Sequence, residues 1–246
     1  MHFNTIKYGA VALLCFSSLN SANSFAGTMG KVDSHFKGHF LAQIGGYWAS
    51  QGKSQDLALA EGLVGNRYSI QTHNQGSGLV GLGYLLDGPM IYNRFPISYG
   101  IDTFFLGQTS YKGYIVEEFQ YTTLSYRYKI QHIPLYFVAK TLVNTKSDKF
   151  KLAFDAGIGP NFMRASHYND FTYLDNAFDD RNNVAFATTV GASIRFSNDA
   201  QQLPIECGYR FFYLGQGEFT IANHQVKSSV KTGTNYANAL ICSITI

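Results

Sequence analysis

The chain has 246 residues, and its 19 Lys and Arg against 16 Asp and Glu give a formal net charge of only +3. So small an excess of positive charge gives no argument for nucleic-acid binding. Charged residues make up 14% of the chain and aromatic residues 15%, whereas soluble domains average about 25% charged residues. The composition therefore sets the chain apart from an ordinary soluble domain.

Residues 1–26 have the three parts of a secretory signal peptide. Lys7 supplies the positive charge, residues 8–16 form a short apolar run, and residues 24–26 form a small-x-small cleavage site. The run is too short to cross a bilayer as a helix, and the rest of the chain has no apolar run that is long enough to do so. We therefore expect an exported protein whose mature domain covers residues 27–246.

The mature chain alternates apolar side chains with small or polar ones, which is the period of a β-strand. In the fifth such stretch, Phe154 and Ile158 alternate with Asp155 and Gly157. The pattern predicts eight strands in all. In chain order they cover residues 40–48, 78–86, 97–118, 120–142, 151–163, 184–196, 205–213 and 236–246.

The connections between these strands alternate in length. The long ones are residues 49–76, 165–183 and 216–233, and the short ones are residues 87–96, 143–149 and 197–203. Long loops at one end and tight turns at the other are typical of bacterial outer-membrane barrels. The third and fourth strands exceed the roughly 10 residues needed to cross a membrane. We expect their excess to project outward as a ribbon with its tip near residues 113–119.

Glycine and aromatic residues recur together on three strands, at residues 81–85 (GLGYL), 154–159 (FDAGIG) and 208–210 (GYR). With the signal peptide and the alternating last strand, they resemble the small outer-membrane barrels of the OmpA, OmpX and OmpW type over nearly the whole mature chain. The resemblance implies an all-β, eight-stranded, antiparallel up-and-down transmembrane β-barrel with long extracellular loops and short periplasmic turns. The alternative is an exported soluble barrel of the lipocalin kind, in which the apolar faces would form a core.

If the large apolar residues face lipid, strand parity sends six charged residues into the lumen. They are Asp102, Lys140, Asp155, Arg195, Glu206 and Arg210. An eight-stranded barrel is just wide enough for side chains to fill it, so these charges must pair or hold trapped water. The cluster would then fill and stiffen the barrel, or it would line a gated polar pathway. The equal numbers of acids and bases favour filling, because selective pores carry a surplus of one sign.

Cys207 and Cys242 are the two cysteines of the mature chain, and both have the outward parity of strands seven and eight. If Gly215 pairs with Thr234 at the end of that hairpin, the two cysteines lie directly opposite each other. Opposed Cβ atoms are about 4.5–5.5 Å apart, so a disulfide is feasible only at a close pair. The oxidising periplasm favours the bond, but two free, lipid-facing thiols remain the alternative.

Aromatic residues near the strand ends predict girdles at the two membrane boundaries. The candidates are Tyr47, Trp48, Tyr84, Tyr92, Tyr99, Tyr136 and Tyr213. Such girdles are structural, so these residues do not indicate a ligand site.

Catalytic and metal-binding patterns are weak. Ser166 and His167 are similar to the Ser and His pair of outer-membrane lipid deacylases, but neighbouring residues of a strand point in opposite directions. Asp175, Asp179 and Asp180 match no calcium-loop template. We expect no catalytic residue, no cofactor and no metal.

The sequence predicts an outer-membrane surface protein with a structural or surface-interaction role, inserted by the barrel-assembly machinery and surrounded by outer-membrane lipids. Loops 49–76, 165–183 and 216–233 are the candidate surface for an extracellular or host ligand. A narrow porin-like channel for small or hydrophobic solutes is the first alternative. A lipid-modifying enzyme is the second.

Overall fold

A computed structural model describes most of the chain after the first 36 residues. The described residues are 37–59, 65–71, 74–91, 95–145, 150–171, 176–196, 204–223 and 226–246. Within them the structure has twelve strands: β1 (Gly38–Ser50), β2 (Gln55–Leu57), β3 (Asn66–Ile70), β4 (Asn74–Ile91), β5 (Phe95–Glu117), β6 (Tyr121–Asn144), β7 (Phe150–Asn169), β8 (Phe178–Asp179), β9 (Arg181–Phe196), β10 (Ile205–Glu218), β11 (Thr220–Ile221) and β12 (Lys231–Thr245). No helix in this part of the chain has the length and apolar character needed to cross a membrane.

Eight of the described strands close into a ring in which every neighbouring pair is antiparallel. The order around the ring is β1, β4, β5, β6, β7, β9, β10 and β12, and β12 returns to pair with β1. An even number of strands lets the first and last pair antiparallel, which leaves the ring without a free edge. The predicted all-β, eight-stranded up-and-down barrel is confirmed.

The strands run further than the alternation predicted, so the regions expected as long loops are partly barrel wall. β7 continues to Asn169, β10 to Glu218, and β12 begins at Lys231. The first long connection also contains strands, β2 and β3, which form a hairpin. The expected loop limits are wrong because the apolar outer face of each strand ends before its hydrogen-bond pairing does.

The ribbon expected at the end of β5 and β6 is present, but it is not free on either side. β5 and β6 are joined by a turn at residues 118–120, as a ribbon requires. However, β5 pairs beyond the end of β4 with β3, from Gly113 to Val116, and β6 pairs with β7 as far as Arg127. The excess length is therefore held on both sides and extends the barrel.

The outer face of the ring carries a belt of large apolar side chains. Phe154 is 45% exposed and Phe186 is 64% exposed. The other exposed members include Phe40, Ile44, Leu82, Ile101, Phe137, Ile158, Val184 and Leu240. We call this surface the apolar belt. Toward the loop end it gives way to polar outward residues such as Lys129, Arg164 and Asn182.

Some of the girdle candidates lie at the surface and others do not. Trp48, Tyr84 and Tyr99 are exposed on the outer face. Tyr47 and Tyr136 are buried inside the barrel instead, because their positions have the inward parity of β1 and β6. Tyr92, Asp175 and the predicted signal peptide lie outside the described residues.

Candidate functional site

All six charged residues named from the sequence point into the lumen, where they form two neighbouring groups of ion pairs. Arg210 binds Asp102 and Asp155, and Glu206 binds Lys140 and Arg195. We call these six residues the charged layer. Each group contains one residue that two opposite charges share, so no charge of the layer is left without a partner.

Arg210 is the centre of the first group. Its Nη1 lies 2.7 Å from Asp102 Oδ2, and its Nη2 lies 2.7 Å from Asp155 Oδ1. The Gln43 amide donates a hydrogen bond of 2.5 Å to the other oxygen of Asp102. Each of the two carboxylates therefore has a short, charge-assisted contact with the same guanidinium.

Glu206 is the centre of the second group. Its Oε1 accepts hydrogen bonds from Lys140 Nζ at 2.6 Å and from the Ser193 hydroxyl at 2.5 Å. Its Oε2 accepts a longer bond of 3.2 Å from Arg195 Nε. Arg195 lies toward one end of the lumen, and its side chain is 20% exposed. The second group is thus more open to water than the first.

Gly191 makes room for the first group. It lies opposite both Asp155 and Arg210 in the register of β7, β9 and β10. A Cβ atom at this position would lie 2.6 and 2.8 Å from the two Asp155 oxygens. Only glycine therefore leaves the carboxylate in its place beside the guanidinium.

Aromatic rings close the lumen above the charged layer. Phe104, Tyr136 and Phe212 are fully buried, and the centroids of the Phe104 and Phe212 rings are 5.2 Å apart. The Arg210 guanidinium lies 4.9 Å from the Phe104 centroid, which joins the charged layer to the rings through a cation–π contact. Two cavities beside the charged layer measure about 20 Å³ each, which is room for about one water molecule.

A buried histidine lies between two amides on the far side of these rings. His132 Nε2 is 2.8 Å from Gln51 Nε2, and His132 Nδ1 is 2.9 Å from Asn161 Nδ2. The Asn161 amide also donates to the Leu214 carbonyl at 2.7 Å. This group is not predicted by the alternation of the sequence. Inward parity could have placed His132 in the lumen, but not beside Gln51, which is distant in sequence.

A second set of aromatic residues fills the end of the barrel beyond the apolar belt. It consists of Tyr68, Tyr111, Tyr126, Tyr128, Tyr168, Phe178 and Phe219, all buried. We call it the outer aromatic cluster. Phe219 meets Tyr128 edge to face at 5.3 Å and Tyr168 at 5.7 Å. Burial raises the pKa of Tyr68 and that of Tyr111 to about 12.

Cys207 and Cys242 lie directly opposite each other on β10 and β12, with their Cα atoms 4.1 Å apart, and are joined by a disulfide. The pairing expected at the end of the hairpin is wrong by one residue. Gly215 pairs with Asn235, not with Thr234, because the register shifts just after Tyr213. From Tyr213 back to Ile205 the predicted register holds, so the two cysteines still face each other.

Ser166 and His167 are closer together than strand geometry predicted. His167 has a positive φ of 55°, and its Nδ1 lies 3.0 Å from the Ser166 hydroxyl. The hydroxyl is nevertheless shut away, because Ser166 has no exposed surface. The Asp180 carboxylate bonds to the backbone N–H of His167 and not to its ring. Among the described residues no carboxylate contacts the imidazole, so the buried serine beside it lacks the parts of a nucleophilic site there.

Metal ligands do not gather anywhere in the described residues, since no three His, Cys, Asp or Glu side chains there could hold an ion together. Asp180 pairs with Arg164 at 3.2 Å.

The arrangement of polarity defines the class of protein. A soluble barrel turns its apolar residues inward, but here the apolar belt faces outward and the charged layer lies inside. Such a ring is a membrane-spanning β-barrel. The soluble lipocalin-like alternative is therefore wrong for this chain.

No protein-family model matches the sequence, and no curated protein matches it. Among solved structures, the chain is similar to the outer membrane protein OprG of Pseudomonas aeruginosa, with 10% identity, 86% of this chain and 97% of that chain covered, and a TM-score of 0.49. It is also similar to the outer membrane protease OmpT of Escherichia coli, with 7% identity, 89% of this chain and 98% of that chain covered, and a TM-score of 0.46.

A third similar structure is that of Ail, the attachment invasion locus protein of Yersinia pestis, in complex with the heparin analogue sucrose octasulfate. The identity is 11%, 85% of this chain and 99% of that chain are covered, and the TM-score is 0.35. The class stated above rests on the ring of strands and its polarity, not on these likenesses.

Proposed function

We propose that the protein is a bacterial outer-membrane barrel with a closed lumen and a structural or surface-interaction role. The observation that carries this proposal is the continuous filling of the lumen. The charged layer, the rings of Phe104 and Phe212, the His132 group and the outer aromatic cluster follow one another along the barrel. A solute would have to displace all of them in turn.

A narrow channel is the competing function, and the charged layer argues against it. The two carboxylates on Arg210 would have to separate from it in the open state. Breaking a buried pair of this kind costs about 3–5 kcal/mol. A cavity of about 570 Å³ lies at the mouth of the lumen, and the residues that line it include His39, Asp87, Lys140 and Arg195.

The loop end offers an ordered surface for a partner. Two of the candidate loops are tied together, because Gly52 N–H donates to the Thr232 carbonyl and Lys227 N–H to the Ala58 carbonyl, each at 2.9 Å. A bridge between Leu59 and Val226 adds to the link. An extracellular or host ligand would therefore meet a pre-formed surface made by the described residues of loops 49–76 and 216–233, with the described residues of 165–183 beside it.

Conductance in planar bilayers tests the proposal. The purified protein, inserted in its folded state, is expected to give no discrete current steps, while a general porin at equal amounts gives them. The Phe104→Ala/Phe212→Ala variant is the matched comparison, because it removes two of the rings that close the lumen. Steps of uniform size from the native protein would favour the channel instead.

Electrophoresis with and without boiling tests whether the protein is a barrel of this kind, because folded outer-membrane barrels migrate differently until heated. Insertion in the cell would involve the barrel-assembly machinery. Hydrolysis of lipid or peptide substrates, which a barrel enzyme would carry out, is expected to be at background level.

A further inference from the structure

The wall just beyond the apolar belt differs in charge from one side of the barrel to the other. On β5 and β6 the outward residues at this level include Lys112, Arg127 and Lys129. We call these three residues the basic patch. On the opposite wall, Arg181 of β9 pairs with Glu218 of β10, Lys231 is exposed on β12, and the outward residues Gln216 and Thr234 are neutral. The β5–β6 wall differs because three neighbouring cations lie there without an ion pair to any described residue.

The basic patch brings like charges together. Lys112 and Arg127 are direct partners across the β5–β6 ladder, and Lys129 follows Arg127 by two residues on the same face. Like charges directly opposite each other on a sheet are destabilising. Within the described part of the chain no ion pair compensates them; Arg164, on the next strand, is already paired with Asp180. Arg127 makes a cation–π contact with Phe171 at 5.6 Å, which adds no negative charge.

The position of the basic patch indicates what could supply the compensating negative charge. Lys129 lies four residues from Ile133, an exposed member of the apolar belt on the same face of β6. At about 3.3 Å per residue this is roughly 13 Å along a tilted strand. Long basic side chains beside an apolar surface extend to the headgroup region of a bilayer. An anion attached to a lipid would therefore lie within reach of Lys129, and the long side chains of Arg127 and Lys112, two residues further out, can extend toward it.

We infer that the basic patch binds the phosphate groups of an anionic lipid in the leaflet at the loop end of the barrel. Three cations on adjacent strands suit a lipid with more than one phosphate. The lipid phosphates are then the counterions of the patch, and they offset the repulsion between Lys112 and Arg127. This inference rests on the proposed membrane location.

Native mass spectrometry of the folded protein in detergent micelles tests the inference. The protein is titrated separately with cardiolipin, which has two phosphates, with phosphatidylcholine, with inorganic phosphate, and with a sulfated oligosaccharide. The variant Lys112→Gln/Lys129→Gln removes two charges of the patch. The variant Lys53→Gln/Lys231→Gln removes two exposed charges at the same end on the opposite wall and is the control.

We expect the native protein and the control variant to retain cardiolipin in preference to phosphatidylcholine. A juxtamembrane cation contributes about fivefold to the binding of anionic lipid, so the patch variant should bind cardiolipin about 25-fold more weakly. Equal retention of the two lipids by the native protein, or equal binding by the two variants, would overturn the inference. The inference would also be overturned if the native protein bound inorganic phosphate or the sulfated oligosaccharide as tightly as it binds cardiolipin.

The boiling test on the same samples separates this inference from the proposed function. A protein that is not a membrane barrel would fail to show the folded, heat-modifiable form. A membrane barrel without a lipid site would show that form and bind both lipids alike.

Discussion

The charged layer and the outer aromatic cluster fill the same lumen with opposite chemistry. Around the charged layer the wall is covered by the apolar belt, so lipid stabilises the outside and the inside need not be hydrophobic. Around the outer aromatic cluster the wall carries polar residues such as Asn182 and Gln216. That part of the barrel lies beyond the hydrocarbon layer and needs a hydrophobic core of its own. The medium outside the wall therefore determines the side chains within it.

The largest effect is expected from breaking the charged layer. Arg210→Ala leaves Asp102 and Asp155 buried without their cation, which should lower the free energy of unfolding by about 3–5 kcal/mol. The measurement is the urea midpoint of the folded band on semi-native gels. Arg195→Ala, at the more exposed edge of the layer, should shift that midpoint much less.

Adding Asp102→Asn and Asp155→Asn to Arg210→Ala removes the two uncompensated charges and should recover part of the loss. No recovery in this triple variant would mean that Arg210 acts through packing against Phe104 and not through its charge.

The medium outside the wall can be tested with one arginine at two heights on the outer face of β9. Phe186→Arg lies in the apolar belt and should cost roughly 2–4 kcal/mol near the membrane midplane. Asn182→Arg lies on the same face beyond the belt, directly opposite Arg164 of β7, so it should cost only the repulsion between two exposed cations, less than about 1 kcal/mol. Unfolding from lipid vesicles measures both. Similar costs at the two positions would show that the belt does not face lipid.

The outer aromatic cluster should respond to the loss of a single ring. Phe219→Leu keeps an apolar side chain but removes the edge-to-face contacts with Tyr128 and Tyr168, each worth about 0.5–1.5 kcal/mol. Limited proteolysis should then cut the loop end faster while the heat-modifiable barrel is retained. Phe119→Leu, at an exposed position, is the control, and equal cutting of the two variants would contradict a core role for the cluster.

The smallest effect concerns pH. Burial raises the pKa of Tyr68 and Tyr111 to about 12, above the value near 10 of an unfolded chain. The folded state thus holds these protons more tightly, so the contribution to stability is complete below about pH 10 and is lost as the pH rises through about 12. Ultraviolet titration of tyrosinate should show a step near pH 12.

The variant Tyr68→Phe should reduce the amplitude of that alkaline step, whereas Tyr121→Phe, with a side chain that is 60% exposed, should leave it unchanged. If the step were unaffected by Tyr68→Phe, the outer aromatic cluster would be open to water.

Much of the fold could be predicted from the sequence, because strand alternation is a local property with a period of two residues. It sent Asp155 and Arg210 inward and Phe154 and Phe186 outward, and it placed eight strands in order. The ends of the strands could not be predicted, since β7 and β10 continue through pairing with their neighbours after the apolar outer face has ended.

The sequence by itself determined which side chains enter the lumen, but only the tertiary structure decided which of them meet. Arg210 contacts Asp102 from β5 and Asp155 from β7, although 108 residues separate Arg210 from Asp102. The closure of the ring brings these strands face to face, and nothing in the local pattern records it. The same holds for His132 with Gln51, and for the left-handed backbone of His167 that turns its ring toward Ser166. Contacts across a barrel depend on register and closure, which are long-range properties of the whole chain.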